Sequence, residues 1–145
     1  MSPDQAGPAP AGAVVGFDHI ALPLQHADAM AAFYRSLGLA VSENAFLVQV
    51  HFGQQMINFH RPELWQGDFA LRAPAARPPC GDICLVWEGS AESLTSLLRQ
   101  AGADVIEGPV ERDGGRRAVA VSRYVRDPDG NLVEFMNYSE AAARG

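Results

Sequence analysis

The spacing of apolar residues changes along the first third of the chain. Between residues 17 and 24 every second side chain becomes apolar, and this period of two predicts a β-strand with two different faces. Between residues 27 and 37 apolar side chains are three and four positions apart, which predicts one buried stripe of a helix. Gly38 suits the left-handed conformation that ends such a helix. Three short strands are predicted next, around residues 39–42, 46–52 and 55–60.

The second half of the chain repeats this order. Residues 82–87 have the pattern of a strand, and a helix stripe follows between Ser90, a good N-cap, and Gly102. His19 and Asp82, at equivalent places in the two first strands, are 63 positions apart. Three more strands are predicted, near residues 105–106, 119–125 and 132–137. An internal duplication of this kind brings equivalent strands together around a pseudo-twofold axis.

These patterns predict an α+β fold of two βαβββ modules, residues 16–61 and 81–138, that form an open, curved, mixed sheet with helices on its outer face. The proline-containing connection, residues 61–81, is long for a segment without structure. It therefore indicates a functional loop or a cover over a cleft. Residues 1–15, rich in Pro, Ala and Gly, predict a disordered N-terminal tail, and residues 139–145 a C-terminal tail.

Composition limits the class of partner. The 145 residues, 48% apolar and 19% charged, are typical of one globular domain, and the net charge of −6 argues against a nucleic-acid partner. No apolar run approaches the roughly 20 residues of a membrane span, and the N-terminal segment lacks the features of a signal peptide. Cys80 and Cys84 form no disulfide framework and have no common zinc spacing. We therefore expect a cytoplasmic protein with reduced thiols and a small-molecule partner.

Polar side chains collect on one face of the predicted sheet. Because strand residues alternate in direction, Asn58, His60 and Glu134 point away from the helices, opposite to their apolar neighbours. The first strands contribute to the same face His19, Ala21, Asp82 and Cys84. Buried charges are costly unless they are paired or bound to a metal, so this face predicts a polar, ligand-holding cleft between the modules.

Several short segments, in this order and spacing, resemble the vicinal oxygen chelate superfamily. That superfamily includes glyoxalase I, extradiol dioxygenases, and the fosfomycin and bleomycin resistance proteins. The segments that carry the likeness are Phe17-Asp18-His19-Ile20-Ala21-Leu22, Phe33-Tyr34 with Leu37-Gly38, Arg126-Asp127-Pro128-Asp129-Gly130-Asn131, and Leu132-Val133-Glu134-Phe135. Residues 57–60 and 107–112 look like a subgroup of single-domain glyoxalase domain-containing proteins, virulence-associated members among them.

The resemblance implies a divalent metal (Fe, Mn, Ni or Zn) held by the first and last strands of both modules. Carried onto this chain, those positions are His19, Asn58, Asp82 and Glu134, of which Asn58 and Asp82 depart from the usual ligand types. His60 lies two residues beyond Asn58 on the same face. The metal ligands expected are therefore His19, Glu134 and His60, with Asp82 as the alternative third ligand; two imidazoles and one carboxylate suit Fe(II) or Mn(II).

These expectations favour a metal-dependent lyase or isomerase of glyoxalase type. The metal would bind two neighbouring oxygens of a small substrate, and Glu134 or a metal-bound water would be the catalytic proton acceptor. One alternative is an Fe(II) extradiol dioxygenase that opens a catechol ring. Another is a metal-free protein that binds a small molecule or drug. The resemblance also implies a homodimer, and it leaves open whether the cleft closes within one chain or across the dimer.

Overall fold

The computed structural model describes residues 11–68 and 70–144 of the chain. Its strands are β1 (His19–Pro23), β2 (Ala40–Glu43), β3 (Leu47–Phe52), β4 (Gln55–His60), β5 (Asp82–Val86), β6 (Glu107–Asp113), β7 (Val119–Arg126) and β8 (Leu132–Asn137). Its helices are α1 (Ala27–Ser36), α2 (Pro62–Trp65), α3 (Ala91–Gln100) and α4 (Tyr138–Arg144). Residues 11–18 form no helix or strand, and the rest of the predicted N-terminal tail, residues 1–10, lies outside the described residues.

The strands form two four-stranded sheets of the same design. The strand order is β1-β4-β3-β2 in the first sheet and β5-β8-β7-β6 in the second. Strand β1 runs parallel to β4, and β5 runs parallel to β8, while the other neighbours are antiparallel. The predicted α+β class and the two repeated modules are confirmed. The open sheet is divided into two halves, because β1 and β5 each stand at the edge of their own sheet.

The helices pack on the apolar faces of the sheets, as the alternation predicted. The strand residues expected to face the helices are all buried, namely Ile57, Phe59, Val133 and Phe135. Met30 and Tyr34 of α1 and Leu94 and Leu98 of α3 belong to the same core. Ser90 caps α3 by accepting a hydrogen bond from the Ser93 amide at 3.0 Å, and Gly38 takes a left-handed φ of +84° after α1.

A buried turn between β7 and β8 joins the two modules. The Tyr34 hydroxyl of the first module donates to the Asp127 carboxylate at 2.8 Å. The Asp129 carboxylate, whose side chain is fully buried, accepts the backbone N–H groups of Gln25 at 2.7 Å and His26 at 2.9 Å. These bonds fix the start of α1 against the second module.

One strand lies elsewhere than predicted. The sixth strand was expected at residues 105–106, and β6 in fact runs from Glu107 to Asp113. Gly108 and Pro109 interrupt the apolar pattern, but β6 is an edge strand, where a proline removes no necessary hydrogen bond. A register shift between Glu107 and Val110 absorbs the irregularity.

Two segments carry structure that the sequence reasoning did not assign. The connection contains the short helix α2, and the Trp65 indole N–H at its end donates to the Leu24 carbonyl at 2.8 Å. The expected C-terminal tail is helix α4 as far as Arg144. Within residues 11–68 and 70–144, no helix has the length and apolar content to cross a membrane.

Candidate functional site

The polar face of the first sheet is a ladder of hydrogen-bonded side chains. One row across its four strands consists of Ala21, Asn58, Gln49 and Ser42. The Gln49 amide nitrogen donates to the Asn58 oxygen at 3.2 Å, and the Ser42 hydroxyl lies 2.9 Å from Nε2 of His51. The sheet itself therefore occupies part of the acceptor capacity of Asn58.

His19 has the local arrangement of a metal-binding imidazole. It begins β1, one step before the Ala21–Asn58 row, and its side chain is 44% exposed. Its Nδ1 donates to the Asp18 carboxylate at 2.7 Å. Metal-bound histidines commonly donate one ring N–H to a carboxylate, which fixes the tautomer and leaves the other nitrogen to bind the ion. Nε2 of His19 is therefore the nitrogen with an available lone pair.

Glu134 lies at the centre of the polar face of the second sheet. Its neighbours in the row are Cys84 on β5 and Tyr124 on β7. The Ser122 hydroxyl donates to Glu134 Oε2 at 2.6 Å, so the carboxylate has a fixed orientation. Asp82 lies two residues before Cys84 on the same face. Asp82 thus stands to Glu134 as His19 stands to Asn58 in the first sheet.

Cys84 contributes a protonated thiol to this face. The thiol also bonds to Glu134. Burial, followed by the negative charge of Glu134, raises the pKa of Cys84 to about 12. At neutral pH Cys84 is therefore a weak hydrogen-bond donor and not a nucleophile.

A crevice of about 480 Å³ separates the edge strands β1 and β5. His19, Asp82 and Cys84 line it, together with Arg116 from the β6–β7 hairpin. The guanidinium of Arg116 lies 5.0 Å from the centre of the Tyr138 ring, an arrangement that holds a positive charge at the crevice. The remaining wall consists mainly of apolar residues, Phe17, Ile20, Phe52, Ile57, Ile83 and Leu85.

His60 lies away from this crevice. It pairs with Pro23 at the end of β1, four residues from His19, which corresponds to about 13 Å along the strand. His60 is only 9% exposed, and it lines a separate small cavity under the connection. Burial lowers its pKa, and the charge of His19 on the same face lowers it further. The two histidines therefore lie on the same face of the sheet, His19 at the start of β1 and His60 beside the end of β1.

Of the residues that the structure describes, no three His, Cys, Asp or Glu side chains form a group that could hold a metal ion. The structure brings His19 and Asp82 to one crevice, places Glu134 beside Ser122, and buries His60 under the connection. Each sheet thus presents ligand atoms of the right chemical type. His19 and Glu134 have donor atoms of the types that divalent metals bind, an imidazole oriented by Asp18 and a carboxylate oriented by Ser122.

Sequence reasoning missed Ser122. It is fully buried, between Val121 and Arg123 on β7. A single hydroxyl in the run Val119-Ala120-Val121-Ser122 is the available signal, since a buried polar group needs a partner. Sequence alone does not show that the partner is Glu134, because that contact depends on the β7–β8 register.

A comparison with models of protein families shows which family the chain belongs to. The model of the Glyoxalase/Bleomycin resistance protein/Dioxygenase superfamily matches residues 16–135. The chain belongs to this superfamily. Both four-stranded sheets fall almost entirely within the matched residues, so the match covers the whole duplicated unit and not one module of it.

Named members of the superfamily are similar over most of this chain. Virulence protein STM3117 of Salmonella typhimurium is 35% identical over 123 residues, which are 83% of each chain. Its crystal structure has a TM-score of 0.76 and covers 88% of this chain and 99% of its own. The glyoxalase domain-containing protein RDO1 of Mycosarcoma maydis is 33% identical over 88% of this chain and 71% of its own.

The fold also occurs in a solved structure that is named as an enzyme. A lactoylglutathione lyase from Agrobacterium tumefaciens has a TM-score of 0.60 at 24% identity and covers 89% of this chain and 96% of its own. At that identity the similarity shows the fold alone. The choice of chemistry therefore depends on the side chains of this chain.

Proposed function

We propose that this protein is a metal-dependent enzyme of the glyoxalase type, acting as a lyase or isomerase on a small substrate with two neighbouring oxygens. The observation that carries the proposal is the Asp18–His19 hydrogen bond of 2.7 Å, which leaves Nε2 of an exposed imidazole available at the crevice. The superfamily of the chain and its similarity to a glyoxalase domain-containing protein support the same assignment.

The proposed metal ligands are His19, Glu134 and Asp82, brought together between two copies of the chain, because the described residues of one chain form no such group of three. Asp82 is preferred to His60 because it lines the same crevice as His19 and shares a sheet face with Glu134. His60, by contrast, is buried at the far end of β1. A bound divalent ion would supply Lewis acidity toward the substrate oxygens.

The chain's own groups would supply orientation and proton transfer. Glu134 is the proposed proton acceptor, since Ser122 holds its Oε2 and fixes the direction of the carboxylate. Arg116 would attract a substrate with developing negative charge, because its guanidinium is held at the crevice wall. The apolar residues of the wall would limit the access of water to the reacting atoms.

The test is the metal content of protein purified without added ions. We expect a stoichiometric divalent ion in the wild type. His19→Gln and Glu134→Gln should each bind that ion at least tenfold more weakly and retain less of it, because changes at a metal ligand or its hydrogen-bond partner lower metal affinity by factors of this size. His51→Gln is the matched control, since His51 is an imidazole on the same face with its Nε2 bonded to Ser42. Wild type with no more metal than His19→Gln would overturn the proposal.

We further propose that a second copy of the chain completes the cleft. Strands β1 and β5 are both sheet edges, and Ile20 and Val86 on them are 40% and 46% exposed, which leaves backbone and apolar surface for a partner strand. Pairing β1 of one copy with β5 of another would bring His19 of the first copy toward Glu134 of the second.

Mixing two inactive variants distinguishes this arrangement from a site within one chain. After unfolding and refolding an equal mixture of His19→Gln and Glu134→Gln, we expect about a quarter of wild-type metal content. Half of the dimers would be mixed and each would have one intact site of two. No recovery above the separate variants would show that each chain forms its own site.

One observation favours a second function, the binding of a small molecule without a metal. The wall of the 480 Å³ crevice is mainly apolar with a few polar groups, as in ordinary ligand pockets. In that case a ligand would raise the melting temperature of the protein equally in the presence and absence of EDTA. For the metal-dependent enzyme, EDTA would abolish the ligand effect.

A further inference from the structure

A small cavity lies beneath the connection, at the opposite end of β1 from His19. Its volume is about 70 Å³, which is room for roughly five water-sized groups. His60 at the end of β4 and Pro23 at the end of β1 line it from the sheet. Trp65, Leu71 and Arg72 line it from the connection. The cavity is therefore separate from the crevice between β1 and β5.

Arg72 brings a positive charge to this cavity, and none of the carboxylates that the structure describes forms an ion pair with it. The side chain is half-buried, and its Nη1 donates to the Ala76 carbonyl at 3.0 Å. In the part of the chain that the structure describes, no Asp or Glu oxygen lies within ion-pair distance of Arg72. A guanidinium has five N–H donors in a planar fork, so most of its capacity remains for a ligand. Partial burial of a cation is costly unless an anion accompanies it.

The other walls select the type of anion. Trp65 is fixed by its hydrogen bond to the Leu24 carbonyl, so its ring forms a rigid apolar side of the cavity. Leu22 and Pro23 form further apolar wall, and Leu71, 85% exposed, lies at the rim. A single guanidinium balances one negative charge, and its fork matches the two oxygens of a carboxylate. The apolar walls suit a short alkyl group.

We propose that this cavity binds a short-chain aliphatic carboxylate, with its two oxygens on Arg72 and its alkyl group against Trp65 and Pro23. The site goes beyond the proposed function, because it requires neither the metal ligands nor the crevice. Its failure and the failure of the metal proposal are therefore independent of each other.

The first experiment uses the unmodified protein and propionate as the probe. We expect propionate to shift the indole N–H resonance of Trp65 in nitrogen–proton NMR spectra, saturably and at millimolar concentration. The resonance of Trp87, which lies just after β5 in the other module, should stay in place. Propionamide, which has the same shape and no charge, should leave both resonances unchanged. Equal shifts with propionamide, or no Trp65 shift with propionate, would overturn the proposal.

The second experiment removes the charge. Arg72→Gln should weaken propionate binding about tenfold or more, since a charge-assisted bidentate contact is lost. Arg77→Gln, a change of an exposed arginine in the same connection, should leave the affinity within twofold of wild type. Equal affinity in Arg72→Gln and wild type would overturn the proposal, as would tighter binding of inorganic phosphate than of propionate at this site. The wild-type spectra decide the question even if Arg72→Gln does not fold.

Discussion

At the scale of single residues, the second sheet controls the reactivity of a thiol through its neighbours. Cys84 is an exposed residue. Partial burial of its thiol and the negative charge of Glu134 nevertheless raise the pKa of Cys84 to about 12. The same carboxylate accepts the Ser122 hydroxyl. Glu134 therefore interacts with both Ser122 and Cys84, and a substitution of Glu134 should change the reactivity of the Cys84 thiol.

We predict that Cys84 in metal-free protein reacts slowly with iodoacetamide at pH 8, because only the thiolate is nucleophilic. Glu134→Gln removes a nearby negative charge, so it should lower the pKa of Cys84 and raise its alkylation rate several-fold. Burial still opposes ionisation in that variant, so the reaction should remain slower than at an ordinary exposed thiol. Mass spectrometry of the digested protein gives the rate for each cysteine. Cys80 is the internal control, and a Cys84 rate unaffected by Glu134→Gln would contradict the prediction.

At the scale of elements, alternation predicted the faces of the strands well and their contacts less well. The burial of Ile57, Phe59 and Val133 follows directly from a period of two. The same period placed His60 on the face of Asn58, but it carries no information on what covers a strand end, and the connection covers His60. The expectation that His60 joins His19 at one metal is therefore the part of the site that the structure supports least.

The start of helix α4 is marked in the sequence, but its packing is not. Asn137 Oδ1 accepts the Glu140 amide at 3.1 Å, which caps the helix, and Asn followed three residues later by Glu is a start signal readable from sequence. The packing of α4 is not readable in this way. Arg123 on β7 donates two hydrogen bonds to the Glu140 carboxylate, at 2.8 and 3.1 Å, and this pair depends on tertiary structure.

We predict that Glu140→Gln destabilises the protein by about 2 kcal/mol at pH 7, because Arg123 is nearly buried and loses its anion. The hydrogen bonds from Arg123 lower the pKa of Glu140 below its ordinary value of 4.5. The pair therefore contributes stability above that value and loses it as the pH falls through the lowered pKa. The difference between wild type and variant should accordingly shrink on going to about pH 3.

Urea denaturation at several pH values measures this difference. Glu63→Gln, a change of an exposed glutamate in α2, is the matched control and should cost less than about 0.5 kcal/mol. A Glu140→Gln penalty that stays constant down to pH 3 would show that the ion pair does not stabilise the fold.

At the scale of the whole molecule, the two modules are held together by polar groups as well as by the common core. Asp127 accepts the backbone amides of residues 129–131 and the Tyr34 hydroxyl, and burial raises the pKa of both Asp127 and Tyr34. Asn131 donates to Asp127 and accepts the Gly81 amide at 2.8 Å, so the connection ends on the same turn. The sequence predicted the turn itself, while its role between modules depends on long-range contacts.

We predict that Asp129→Asn destabilises the protein by about 3 kcal/mol, because an NH₂ group would replace one of the two oxygens that now accept the N–H groups of Gln25 and His26, and would face a donor there. Asp113→Asn on the exposed end of β6 is the control and should be nearly neutral. Both free energies of unfolding come from urea titration at pH 7. Equal, small penalties for the two variants would show that the buried turn does not link the modules energetically.

The buried turn has a consequence for how kinship is traced among such chains. Residues 126–131 contributed strongly to the resemblance, and three of them, Asp127, Asp129 and Asn131, use their side chains in hydrogen bonds inside the fold. None of the six lines the crevice or the cavity under the connection. A search that gives this hexapeptide a high weight therefore finds proteins that share the turn between the modules. Grouping such proteins by substrate requires instead the residues around His19, Asp82 and Arg72, because these can differ between two chains that have the same turn.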